Sequence, residues 1–138
     1  MRTRSRSVAL LLFDEVDLLD AVAVVSVLSE AGRRWNFRPF AITPLSARPG
    51  RVGSRAQLTL DVPVPLEALE APELVIVPGG YGARRAADDP RVVAWLERAG
   101  AGAETLVGVG AGILLLARAG LLGEGCVATP PELRAELS

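Results

Sequence analysis

The chain has no histidine and no lysine. It has one cysteine, one methionine, one tyrosine, two tryptophans and three phenylalanines among 138 residues. The missing histidine removes the usual general base near neutral pH, the usual triad partner and the commonest metal ligand; no metal and no cofactor is expected. The lone Cys126 excludes an intramolecular disulfide and suits a reducing, cytoplasmic setting. Without lysine, all 15 basic residues are arginine, and 16 acidic residues leave a net charge of −1. That balance excludes the strongly basic face of a nucleic-acid-binding domain. No apolar run is long enough for a membrane span. Neither nucleic acid nor membrane is therefore an expected partner.

What is present is a chain that is 50% hydrophobic, enough for one globular domain over residues 1–138. Arg2, Arg4 and Arg6 form a small basic N-terminal tail, residues 1–6, expected to be solvated. The apolar run behind it ends at Asp14 and Glu15 with no cleavage-site pattern, which argues against a targeting signal.

The stretch LVGVGAGILLLARAGLL, residues 106–122, organises the reading. A short apolar run meets Gly108, Gly110 and Gly112, a helical run follows, and Gly120 stands where a helix stop tolerates φ > 0. Small residues two apart on either side of one position mark a nucleophile elbow, in which a strained turn lifts the central side chain above a strand. Here the centre is Gly110, so the pattern is that of a catalytic turn without its reactive atom. The same glycines do not fit a dinucleotide loop, because their spacing is G-x-G-x-G and they follow a late strand.

Along the chain, residues 7–13 and 74–77 are continuous apolar runs of buried-strand length, and residues 35–43 are a further strand. The acidic DEVDLLD leads into a helix reaching about Ala31, apolar on nearly every side and so expected to be covered on both. Residues 57–62 alternate and pair with 51–55 as a hairpin. Residues 65–71 form a short helix. Asp89-Pro90 caps and opens a helix to about Ala99, and residues 132–137 form a last short helix. Strands alternating with helices give an α/β parallel sheet with helices on both faces. Ligands in such sheets sit beyond the strands' C-terminal ends, where residues 14–20, 78–85 and the turn at Gly110 converge.

The segments ALLLFDEVDLLD, ELVIVPGGYG, DPRVVAWL and the glycine elbow, in this order, resemble the ThiJ/PfpI family of the class I glutamine amidotransferase-like fold. The resemblance runs from about Val8 to the C-terminus. It is strongest to the branch of isonitrile hydratases and the N-terminal domains of AraC-type regulators. It implies a flavodoxin-like sheet, apparently short of its last strand, because members usually continue for another strand and helix. It also implies an elbow cysteine, a histidine in a Thr-His context, an acid on the first loop and a cradle of backbone amides. The cysteine position falls on Gly110, and Thr129 is followed by Pro130. The acid falls on Asp20 and the cradle on Gly79 and Gly80. Ala23-Val24 replaces the family's usual Gly-Pro.

Asp20 is accordingly the candidate catalytic residue, with Gly79, Gly80, Tyr81, Gly110 and Ala111 as the candidate ligand-binding set. Asp20 is equally placed as a helix-start carboxylate behind an Asp17 N-cap. Gly79 and Gly80 either present amides to an anion or simply turn the chain. Arg84 and Arg85 read as a solvated pair, with carboxylate binding as the alternative. Cys126 reads as a small core residue, and Trp35 and Trp95 as core or interface anchors. The combined loss of cysteine and histidine points to a non-catalytic domain that binds a small molecule or serves a regulatory or assembly role. The alternative is a weak hydratase- or amidase-like enzyme in which Asp20 works as general acid or base over the Gly79/Gly80 amides. A regulator is a third reading, although no helix-turn-helix follows within the chain. The all-round apolar first helix and the short sheet predict a homodimer.

Overall fold

In the computed structural model, residues 4–138 are described; Arg2 and the side chain of Trp35 lie outside the described residues. The sheet is built around β1 (Arg6–Leu11), whose run of apolar side chains is buried from Val8 onward. Its parallel neighbours are β2 (Phe40–Leu45) and β5 (Leu74–Val77), and β5 pairs in turn with β6 (Thr105–Gly108). The order β2-β1-β5-β6 is that of an open, doubly wound sheet. A separate antiparallel hairpin joins β3 (Gly50–Gly53) to β4 (Thr59–Val62). β2 and β6 are the edges of the described sheet.

Five helices accompany the strands: α1 (Leu18–Glu30), α2 (Ala83–Asp88), α3 (Pro90–Gly102), α4 (Ile113–Arg118) and α5 (Arg134–Leu137). α2, α3 and α4 pack on one another, whereas α1 lies apart against β2. Trp95 on α3 is fully buried and its indole N–H donates to the Leu69 carbonyl at 3.0 Å, which satisfies its one polar group. Leu96, Leu115, Val75 and Ile76 complete the centre of the core. Among the described residues, no helix is long and apolar enough to cross a membrane.

Several expectations change. The basic segment does not remain a tail: Arg6 enters β1, Arg4 pairs with Glu73, and Arg6 pairs with Glu104, each at 2.6 Å. The Ser7 N–H also donates to Glu73 at 2.8 Å. That bond, with Arg4 beside it, holds the Glu73 carboxyl below its ordinary range. The second strand starts at Phe40 rather than residue 35, because residues 33–35 form a 3-10 turn and Asn36 takes a left-handed φ of 50°. The helix expected at residues 65–71 shortens to one 3-10 turn, Leu66–Ala68. Within the single chain α1 is covered on one face: Ala21 is its one buried residue, and Leu19, Val22 and Val27 stand 75%, 50% and 71% exposed. Cys126 is exposed in the loop before α5, not in the core.

Candidate functional site

Three chain segments meet beyond the C-terminal ends of β1, β5 and β6. The first runs from Asp14 to the start of α1. Asp14 accepts from the Gly53 N–H at 3.1 Å, and the Glu15 N–H donates to the Gly53 carbonyl at 2.7 Å, so the β3–β4 hairpin grips this loop. Asp17 caps α1, accepting from the Leu19 and Asp20 amides at 2.9 and 3.4 Å.

The second segment is Pro78 to Gly82. Gly80 has φ +131°, and a Cβ there would come within 2.4 Å of the Glu15 carbonyl oxygen. The loops stack backbone on backbone, and only glycine permits it.

These two segments lock reciprocally. The Asp17 N–H donates to the Gly79 carbonyl at 2.9 Å, and the Gly79 N–H donates to Asp20 Oδ2 at 3.1 Å. Asp20 stands at the third helical position, from which a capping-box carboxylate would reach back to the Asp17 N–H. That N–H is already taken by Gly79, and the carboxylate turns to Gly79 instead. The cap and site readings of the acidic start of α1 are thus divided between two residues: Asp17 caps, and Asp20 faces the elbow.

The third segment is the elbow. Gly110 has φ +54° and opens a 3-10 turn, Gly110–Gly112, that runs into α4. A Cβ on Gly110 would stand 2.9 Å from Asp20 Oδ2. One on Gly79 would meet the Ala111 nitrogen and Asp20 Oδ2, both at 2.7 Å. Asp20, Gly79, Gly110 and Ala111 therefore form one cluster, with the carboxylate occupying the direction in which an elbow side chain would project. Burial at this spot pushes the Asp20 carboxyl above the ordinary aspartate range; the charge of Asp17 adds to the shift, and the Gly79 N–H opposes it.

The remaining expected residues lie less centrally. Tyr81 is 70% exposed, with the Arg55 guanidinium 3.7 Å from its ring centroid. Arg84 and Arg85 are solvent-exposed, as the sequence suggests, and each carries a surface ion pair: Arg84 with Glu136 at 2.6 Å and Arg85 with Glu15 at 2.7 Å. Thr129 precedes Pro130 in the loop before α5, and its hydroxyl is buried without a partner among the described residues. Among the described residues, no group of three acidic or cysteine side chains is arranged to hold a metal ion. The sequence points to Asp17 as a cap and to the Gly79 amide as an anion donor, but not to the backbone bond from the Asp17 N–H to the Gly79 carbonyl that joins the two loops.

Comparison with known proteins places this geometry. The chain is similar to a ThiJ/PfpI family protein from Pseudomonas syringae, with 22% identity and a TM-score of 0.72, over 87% of this chain and 48% of that one. It is similar to a two-domain protein from Anabaena variabilis that contains DJ-1/ThiJ/PfpI-like and ferritin-like domains, with 20% identity and a TM-score of 0.77, over 96% of this chain and 37% of that one. It is also similar to an AraC family transcriptional regulator from Pseudomonas putida, with 26% identity and a TM-score of 0.70, over 96% of this chain and 70% of that one. The chain thus spans about half the length, or less, of the first two of these proteins. No curated protein matches it. The family model of the DJ-1/PfpI family matches residues 6–138, and the chain belongs to that family.

Proposed function

We propose that this DJ-1/PfpI domain binds a small molecule rather than transforming one, in a cytoplasmic, self-associating protein. The observation that carries the reading is the Asp20 carboxylate, fastened to the Gly79 N–H and lying 2.9 Å from where a Gly110 Cβ would stand. Thiol catalysis needs a thiolate and an electropositive surrounding. Here the nucleophile position is a glycine, and the nearest side-chain group is an anion-forming one. One of the two amides that would steady a developing oxyanion, that of Gly79, is already spent on that carboxylate. The likeness to an AraC family regulator supports a sensing role for the domain.

Self-association is assigned to α1, with a second copy of the chain as the partner. Its exposed stripe of Leu19, Val22, Ala23, Ser26 and Val27 carries no charge, so a two-fold contact sets like surfaces together without repulsion. The small Ala23 and Ser26 let two such helices approach closely.

One observation favours a second reading, a weak hydratase- or amidase-like enzyme. A carboxyl raised above its ordinary range and facing an elbow is suited to proton transfer. A single positioned acid or base supplies a factor of about 10²–10⁴. A screen of hydrolysis, hydration and glyoxalase substrates, run on the wild-type protein and Asp20→Asn, separates the two. The binding reading expects no turnover from either. Turnover by the wild type that vanishes in a folded Asp20→Asn protein would replace it with the enzyme.

A further inference from the structure

A cavity of about 260 Å³ opens at the same end of the sheet and shares no lining residue with the elbow cluster. It lies beyond the ends of β1 and β2, closed by β3, by α2 and by the start of α3. In a doubly wound sheet the crevice forms where the strand order reverses, which here is between β1 and β5, and the cavity takes one wall from the loop after β1 and another from the segment after β5.

The cavity is built in two halves. Its floor is apolar: Phe13, Val52 and Val92 are buried side chains from three separate elements. Arg48, Arg51 and Arg85 line its rim, and the Arg51 guanidinium also donates to the Thr59 hydroxyl oxygen at 3.3 Å, a solvent-exposed contact. Arg48 and Arg51 make no ion pair among the described residues, and Arg85 reaches only Glu15, across a solvent-exposed contact. Ser46, the one buried polar side chain among the described residues, also lines the cavity. Its Oγ accepts from the Arg48 N–H at 3.2 Å, and its hydroxyl proton has no acceptor among those residues. The strap from Ser46 to Arg48 is held in place because Arg91 on α3 donates to the Ala47 carbonyl.

The two acids in the lining are committed elsewhere. Asp14 accepts from the Gly53 N–H, and Asp89 caps α3 through the Arg91 N–H at 2.9 Å. With Arg85 matched by Glu15, Arg48 and Arg51 are the rim cations without an ion pair among the described residues, and one carboxylate is the anion that matches them.

We propose that this cavity is a second binding site, for a small carboxylic acid in its carboxylate form whose apolar body rests on Phe13, Val52 and Val92 and whose carboxylate is held by Arg48 and Arg51 with the Ser46 hydroxyl. Arginine pairs with carboxylate through two parallel hydrogen bonds, and the apolar floor gives such a ligand a fixed orientation. The inference is independent of the elbow: turnover there would leave it standing, and its failure would leave the elbow reading untouched.

The test is titration of the full chain with acetate, hexanoate and benzoate, by calorimetry and by amide chemical shifts, with benzamide as the uncharged isostere and inorganic phosphate as the dianion. Hexanoate or benzoate should bind more tightly than acetate and phosphate, and benzoate at least ~10-fold more tightly than benzamide. Shifts should centre on Ala47, Val52 and Ala86. Arg48→Gln and Arg51→Gln should each weaken binding by ~10-fold or more, while Arg98→Gln, an exposed arginine outside the cavity, should not. Both rim arginines are exposed, so their replacement leaves the fold intact, which circular dichroism checks. Absence of saturable binding by all three acids, equal affinity for benzamide, tighter binding of phosphate, or shifts centred on Gly79 and Gly110 would each overturn the proposal.

Discussion

Two glycines allow the elbow geometry to be weighed. Gly110 and Gly120 have similar positive φ values, +54° and +67°, but differ in what a Cβ would meet. At Gly120 nothing lies within 4 Å; at Gly110 the Asp20 carboxylate is 2.9 Å away. Gly120→Ala therefore reports the left-handed backbone alone, about 1–2 kcal/mol. Gly110→Ala carries the same cost and also displaces a carboxylate anchored to the Gly79 N–H. A hydrogen bond to a charged group contributes about 1.5–3 kcal/mol, and partial exposure puts this one at the low end. The expected cost of Gly110→Ala is thus about 2.5–3.5 kcal/mol. In an Asp20→Ala background the obstruction is gone, and Gly110→Ala should fall to the Gly120→Ala value. Urea unfolding at fixed protein concentration measures all five proteins. If Gly110→Ala costs the same with and without Asp20, the two do not touch, and the account of the elbow as occupied by its own acid fails.

Three further outcomes are expected. Because the folded state raises the Asp20 carboxyl, its contribution is fully present below the unfolded value and lost as pH rises through the folded one. The urea midpoint of the wild type should therefore drop relative to Asp20→Asn as pH rises above the ~3.9 of an ordinary aspartate, and a constant difference would contradict the burial. Gly110→Cys, made with Cys126→Ser to silence the exposed thiol, should alkylate at pH values below the ~8.5 of free cysteine. Adding Asp20→Asn should lower its titration further, because a neighbouring carboxylate opposes the thiolate; a thiol titrating like free cysteine in that double background would rule out elbow geometry. Val27→Glu and Leu19→Arg should convert a self-associated protein to folded monomers in sedimentation velocity, and a wild type already monomeric at micromolar concentration would dispose of the α1 interface.

The parts legible in the sequence were those where one local signal dominates. Leu74–Val77 is an unbroken apolar run closed by Pro-Gly-Gly, and it is β5 as read. Asp89-Pro90 opens α3 with the cap it advertises. α2 was missed because its residues, ARRAAD, show no apolar period and its start, Gly82, offers no capping side chain. The aromatic run at Trp35 and Phe37 suggested a strand, but Gly32 and Asn36, both at positive φ, turn the chain there first. Cys126 was assigned to the core by residue type, whereas glycines at 123 and 125 place it in an exposed loop. Asp20 was legible as a site residue from the family motif. Its hold on the Gly79 amide was not, because a contact between residues so distant in sequence has no local signature. The arginine-rimmed cavity was invisible for the same reason, being assembled from five separate stretches of chain.

The strand order also sets a timetable for folding. β1 is synthesised before the other strands of this sheet and ends up between two of them: Val8 meets Ile42 on one side and Leu74 on the other. At roughly 5–20 residues per second, Leu74 follows Val8 by several seconds. α1 and β2 can close on β1 early, but its other edge must stay open until β5 emerges. Until then a strand of Val, Ala and Leu presents unpaired amides beside an uncovered helix. Parallel pairing at such separation is slow and leaves apolar surface exposed while it proceeds. The nascent chain, more than the folded domain, is therefore the species in which this strand edge is open to mispairing.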